Sequence, residues 1–180
     1  MTLELGQAAL RQLQQPVEGT YPYEGGGLLI GRTDEQGRKV VTEIKLIENQ
    51  RAIEDQHNRI LITDQMTLLQ KGSSRRPRRR VPRSNPPRGR GFEQFFQWSH
   101  QMYREGEAYA DNQGLLLIGF FHSHPDHPAR PSEFDREHAL PWWSYVIVSV
   151  QQGHSADVLS WALREDRSAF EAEEIVMREA

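Results

Sequence analysis

The sequence predicts a mixed α/β (α+β) fold: a single domain in which a sheet is flanked by helices. Three observations predict it. Leu115 to Phe121 is a continuous apolar run, as in a central strand covered on both faces. Segments of helical and strand character alternate along the chain instead of forming separate blocks. The 180 residues suit one domain, which at this size buries roughly 70% of its unfolded-chain surface.

Leu5 to Gln15 carries apolar residues at positions 5, 9, 10 and 13, a helical spacing that Pro16 ends or bends. Tyr21-Pro22-Tyr23-Glu24-Gly25-Gly26-Gly27 is turn-rich and leads into a strand at Leu28–Arg32. Asp34 to Gly37 reads as a hairpin turn, and Lys39–Ile47 as the return strand, with Val41, Ile44 and Leu46 among its apolar positions. A short strand at Arg59–Thr63 and a brief helix at Asp64–Gln70 follow. Phe92, Phe95, Phe96, Ser99, Met102 and Tyr103 keep helical spacing, so a helix is expected from Phe92 to Ala110 with its aromatic stripe in the core. After the apolar strand come a helix at Glu133–Leu140, strands at Tyr145–Gln151 and Asp157–Arg164, and a closing helix from Ser168 to Arg178. Trp142 and Trp143, behind Pro141, are expected to pack against the sheet.

The chain has no cysteine, which excludes disulfide frameworks, thiolate zinc sites, iron–sulfur clusters and cysteine nucleophiles. No apolar run approaches the ~20 residues of a membrane span, and the N-terminus shows no basic-then-apolar leader, so a cytoplasmic protein is expected. The net charge of −3 conceals an asymmetry: Arg75 to Arg90 holds eight arginines, four prolines and no acid. Without those arginines the chain has 14 basic against 25 acidic residues, a balance of −11. Residues 72–91 therefore read as a disordered Arg/Pro-rich insertion within the domain, since like charges repel and nothing there builds a core. Arginine runs bind phosphate. The acidic remainder and the lack of any recognised nucleic-acid motif nevertheless argue against nucleic acid as the partner, and an acidic protein or a solvated loop are the other readings.

The chemistry concentrates in Phe121-His122-Ser123-His124-Pro125, followed by Ser132-Glu133-Phe134-Asp135. On a strand, His122 and His124 point to the same face. Asp135, opening the next helix, adds a carboxylate. Two His and one Asp fill three tetrahedral positions and leave the fourth open, the pattern of a catalytic Zn²⁺. Ser132-x-x-Asp135 also fits a helix capping box, the simpler reading in isolation. Asp126, His127, Glu133, Glu137 and His138 are rival ligands. Asp126 and His127 are the best of them, but they sit in a proline-bracketed loop that positions ligands poorly. Ser123 faces the opposite side of the strand and reads as support.

His122-Ser123-His124-Pro125, six residues, Ser132, two residues and Asp135 resemble the full signature of the JAMM (MPN+, JAB1/Mov34-type) zinc metalloproteases, in their stand-alone bacterial branch. Glu24-Gly25-Gly26-Gly27-Leu28-Leu29-Ile30-Gly31 matches that family's separate upstream glutamate motif. The resemblance runs from about residue 3 to residue 175, broken by the arginine-rich stretch, which is foreign to the pattern. It implies an MPN, cytidine-deaminase-like fold. It also implies one zinc ion on His122, His124 and Asp135, with Glu24 as general base and proton carrier to the leaving amine, and with Ser132 as hydrogen-bond donor to the oxyanion. Gly25 to Gly27 would let backbone approach the site closely, or else be only a flexible turn.

The same resemblance implies the substrate: the bond after the C-terminal Gly-Gly of a ubiquitin-like sulfur carrier of the ThiS or MoaD type, cleaved to trim the carrier or to release a conjugate such as cysteine. The alternative is a non-catalytic MPN-type scaffold or binding module that contacts nucleic acid or an acidic protein through the Arg-rich insertion. The sequence leaves the oligomeric state open.

Overall fold

The computed structural model describes residues 1–47 and 99–178. The expected strand at Arg59–Thr63, the helix at Asp64–Gln70, the arginine-rich insertion and the first part of the aromatic-striped helix lie outside the described residues. The described elements are β1 (Thr2–Gly6), α1 (Gln7–Gly19), β2 (Gly26–Thr33), β3 (Lys39–Ile47), α2 (Ser99–Asn112), β4 (Leu116–Pro125), α3 (Glu133–His138), β5 (Ser144–Gln151), β6 (His154–Leu163) and β7 (Phe170–Arg178).

The seven strands form one mixed sheet, in the order β1-β3-β2-β4-β5-β6-β7, and it closes on itself as β7 returns to β1. The expectation of a sheet flanked by helices is met in its mixture and corrected in its closure. Closure depends on β1. Its Leu3 and Glu4 pair parallel with Lys39 and Val40 of β3, while Thr2 to Gly6 pair parallel with Glu174 to Arg178 of β7. A five-residue strand is thus held between two neighbours, along its whole length by β7 and at two residues by β3.

β4 is central and covered on both faces, as its composition requires. Ile118 and Phe121 join a core on the α1 side with Leu13, Val17, Leu29, Val146 and Val148. Leu117 and Phe120 join a second core on the α2 side with Leu28, Ile30, Ala110 and Trp143. The spacing of three between Ile118 and Phe121 breaks strand periodicity. A bulge explains it: the register against β2 skips from Leu29↔Gly119 to Ile30↔Leu117, leaving Ile118 without an opposite residue. Beyond the bulge, alternation is regular through the two histidines.

The hairpin from β2 to β3 turns where expected. Asp34 Oδ1 accepts from the amides of Gln36 and Arg38, each at 2.9 Å, and Gly37 takes φ +76°, which a Cβ would disfavour.

Three expectations need correction. Leu3 and Leu5 are fully buried strand residues of β1, so the N-terminal helix starts after them, at Gln7. Pro16 does not end that helix, which continues to Gly19. The carbonyl that the proline cannot serve belongs to Gln12, on the exposed side. The closing segment, rich in the helix formers Ala, Glu and Met, is strand β7, because pairing with β1 and β6 overrides local propensity. Of the tryptophans, Trp143 packs as expected, edge-on to Tyr103 with ring centroids 5.0 Å apart. Trp142 is 42% exposed at φ +75°, with the Lys39 ammonium 5.3 Å from its ring centre. No described helix is long and apolar enough to cross a membrane.

Candidate metal centre

β4 presents His122 and His124 on one face, two residues beyond Phe120, whose ring stacks on His122 at 5.7 Å. The strand is fixed on both sides: Gly26 of β2 lies opposite His122, while Ile147 and Ser149 of β5 lie opposite His122 and His124. The two Nε2 atoms are 3.0 Å apart. Asp135 enters from the first turn of α3, its Oδ1 3.3 Å from His122 Nε2 and its Oδ2 3.7 Å from His124 Nε2. One ligand atom from each of the three residues lies within 4.8 Å of the others. His122 and Asp135 are buried, and His124 opens partly to solvent.

Hydrogen bonding assigns the protons. His124 Nδ1 is 3.1 Å from the Pro128 carbonyl, which only accepts, so Nδ1 carries the hydrogen and the Nε2 lone pair faces the cluster. Burial and the charge of His122 push the pKa of His124 down to about 4. Burial also opposes a charge on His122, but Asp135 and Glu24 outweigh it and raise its pKa. The Asp135 carboxyl resists burial through His122 and two hydrogen bonds from Ser132, and stays well below the ordinary carboxylate range. Two imidazole nitrogens and a carboxylate oxygen thus converge on one point. This donor set, two imidazoles and a carboxylate with a backbone carbonyl fixing one tautomer, fits a zinc ion.

Asp135 does double duty. Ser132 caps α3: its Oγ accepts from the Asp135 amide at 3.1 Å, while its own amide donates to Asp135 Oδ2 at 2.6 Å. The capping box is therefore present together with the cluster, and the two readings of Ser132-x-x-Asp135 are compatible. The exposed Ser132 hydroxyl also donates its single hydrogen to Asp135 Oδ2, at 2.6 Å. Donation to a substrate oxyanion requires that hydroxyl to rotate.

Glu24 lies two residues before β2 and is brought to the cluster by the pairing of β2 with β4. Burial pushes its pKa up to about 7, with the charges of His122 and Asp135 acting in opposite senses upon it. Of the glycines that follow, Gly26 and Gly27 are strand residues under close approach, not a flexible turn, and Gly25 leads into them. A methyl group on Gly26 would stand 2.5 Å from the Phe121 carbonyl oxygen and 3.3 Å from His122 Cα.

The rival ligands do not join the cluster. Asp126 accepts from the Tyr21 hydroxyl and the Gln152 amide, Glu133 pairs with Arg136, and His138 Nδ1 meets the Phe134 carbonyl. His127 and Glu137 also lie outside the group. The proline-bracketed loop supplies no ligand but holds one, through Pro128 and His124. Sequence reasoning missed that carbonyl and missed Tyr21, because backbone acceptors and turn tyrosines carry no signature of their own.

Comparisons with known proteins show the family. Residues 6–164 match the family described as prokaryotic homologs of the JAB domain, and the chain belongs to that family. A protein from Salinibacter ruber, solved in solution, is 32% identical, with 99% of this chain and 92% of that one covered and a TM-score of 0.62. One from Desulfitobacterium hafniense is 22% identical over 99% and 94%, with a TM-score of 0.56. A JAB1/MPN domain protein from Archaeoglobus fulgidus is 16% identical over 98% and 99%, at a TM-score of 0.47. No curated protein matches the chain.

Proposed function

We propose that this protein is a zinc-dependent peptidase or isopeptidase. The observation that carries the reading is the meeting of Glu24 with His122, His124 and Asp135 across nearly a hundred residues of sequence. A carboxylate is costly to bury beside a three-ligand cluster, and burial raises its pKa. His122, His124 and Asp135 would hold the ion, which when bound supplies Lewis acidity and lowers the pKa of water to about 7.

The chain's own residues do the rest. Glu24 accepts a proton from the attacking water and returns it to the leaving amine. Ser132, rotating away from Asp135, donates to the carbonyl oxygen as negative charge builds there. A groove of about 380 Å³ opens beside Ser132, lined by Pro131, Trp161, Ala169 and Phe170 together with Arg130 and Arg136. A polypeptide segment, with apolar and polar contacts along its length, suits that lining.

For the substrate we propose a ubiquitin-like sulfur-carrier protein, cut after its C-terminal Gly-Gly to remove an extension or a conjugate such as cysteine. A pair of glycines passes a narrow site without side-chain hindrance. The test is to incubate zinc-loaded protein with such carriers, each extended by a short peptide beyond Gly-Gly, and to follow intact mass. Shortening to the Gly-Gly terminus is the expected result. Unchanged masses with zinc in place would instead favour a scaffold.

A further inference from the structure

The Glu24 segment is attached to the ligand-bearing segment at two points, neither of which is a metal ligand. On the inner side, buried Ser123 makes a reciprocal pair of bonds with Gly25. The Gly25 amide donates to Ser123 Oγ at 3.0 Å, and the Ser123 amide donates to the Gly25 carbonyl at 2.8 Å. On the outer side, the Tyr21 hydroxyl donates to Asp126 Oδ2 at 3.0 Å. Asp126 is itself held at φ +56° by the Gln152 amide, which donates to its Oδ1 at 2.9 Å. The two anchors bracket Glu24 in sequence, at 21 and 25. Their partners bracket His124, at 123 and 126.

From this geometry we infer that Ser123 and the Tyr21–Asp126 pair are positioning residues: a two-point clamp that fixes Glu24 against the metal cluster. The strand ladder alone does not reach Glu24. The register of β2 against β4 ends at Gly26↔His122, so Glu24 lies past the last ladder pair. The Ser123 hydroxyl extends the connection by one further bond. It can do so only because it faces away from the ligands, where alternation along the strand places residue 123. A general base displaced by about 1 Å can lose on the order of 10²-fold in rate, so the clamp has catalytic consequences without touching substrate.

The role in turnover rests on the peptidase reading, whereas the clamp itself is a matter of structure, and the experiment separates them. Zinc-loaded wild type, Ser123→Ala, Ser123→Thr and Tyr21→Phe are compared by NMR-detected amide exchange and by turnover of the extended carrier, each also in a Glu24→Gln background. In Ser123→Ala, exchange of the Gly25 amide should rise at least about tenfold while zinc stoichiometry is unchanged. kcat should fall about 10- to 100-fold with KM nearly constant, Ser123→Thr should restore it, and Tyr21→Phe should cost a few-fold. In the Glu24→Gln background neither substitution should lower the residual rate further.

Unchanged Gly25 exchange overturns the clamp whatever the chemistry. Equal losses in both backgrounds overturn it too, because the anchors would then act other than through Glu24. If zinc-loaded wild type turns nothing over, the peptidase reading falls, and the exchange data alone decide whether the clamp exists.

Discussion

Glu24 and His124 stand on opposite sides of the same proton economy, one holding its proton to unusually high pH and the other releasing it unusually early. Each direction follows from burial acting on a different charge type. Glu24→Gln should retain zinc and fold, and lose about 10²- to 10⁴-fold in turnover, because an amide cannot take the water's proton. Metal analysis alongside single-turnover kinetics checks both halves, and zinc loss would mark Glu24 as a fourth ligand. The same carboxyl should be visible in the stability of the metal-free protein. Its pKa is about 7 in the fold against 4.5 ordinarily, so the folded chain keeps a proton that the unfolded chain releases. Its contribution is complete below pH 4.5 and disappears as pH rises through 7. Denaturant titrations of wild type and Glu24→Gln should diverge over that window, wild type losing on the order of 3 kcal/mol relative to the variant. Parallel curves would show that the site is too wet to perturb the acid.

At the scale of elements, α3 has only six residues and depends on how it starts. Ser132→Ala removes the side-chain cap and should lower metal-free stability by about 1 kcal/mol, with Ser132→Thr or Ser132→Asp recovering most of it. Turnover should also fall, but Ser132→Asp should not rescue it, since a carboxylate cannot donate to an oxyanion. A common recovery of both properties by Asp would mean that the serine only caps. This element was legible beforehand because capping boxes and metal motifs are both local patterns. So were β3, matched residue for residue, and β4, whose apolar run admits one interpretation. What escaped was decided elsewhere in the fold. The segment from Phe170 to Arg178 contains helix formers, and only its distant partners make it a strand. Among its three acids, Glu173 is buried.

That burial belongs to the whole molecule. The Lys39 ammonium lies 3.2 Å from Glu173 Oε1 and 3.0 Å from Ser144 Oγ, and Ser160 Oγ donates to Glu173 Oε2 at 2.7 Å. Four strands, β3, β5, β6 and β7, meet in one polar knot at the side where the sheet closes. Burial lowers the pKa of the lysine, and the attraction of Glu173 works against that shift. Lys39→Met should cost about 3–5 kcal/mol by stranding a buried carboxylate. Lys39→Met combined with Glu173→Leu should recover most of that loss, as apolar replacements of buried pairs often do. A double variant as unstable as the single one would show that the pair sets the strand arrangement itself. No sequence pattern announces such a partnership, because its members lie 134 residues apart.

The pairing of β1 with β7 also imposes an order of manufacture. A ribosome has made every member of the metal cluster once it has added Asp135, but at that moment β4 has a neighbour on one side only. β5, which lies against both histidines, comes next, and β7, which pairs with β1, is made last of the described strands. Such long-range pairing is slow to form. The growing chain therefore carries its two histidines and aspartate for some time before it has a frame to hold them. The tool is forged before its handle is fitted.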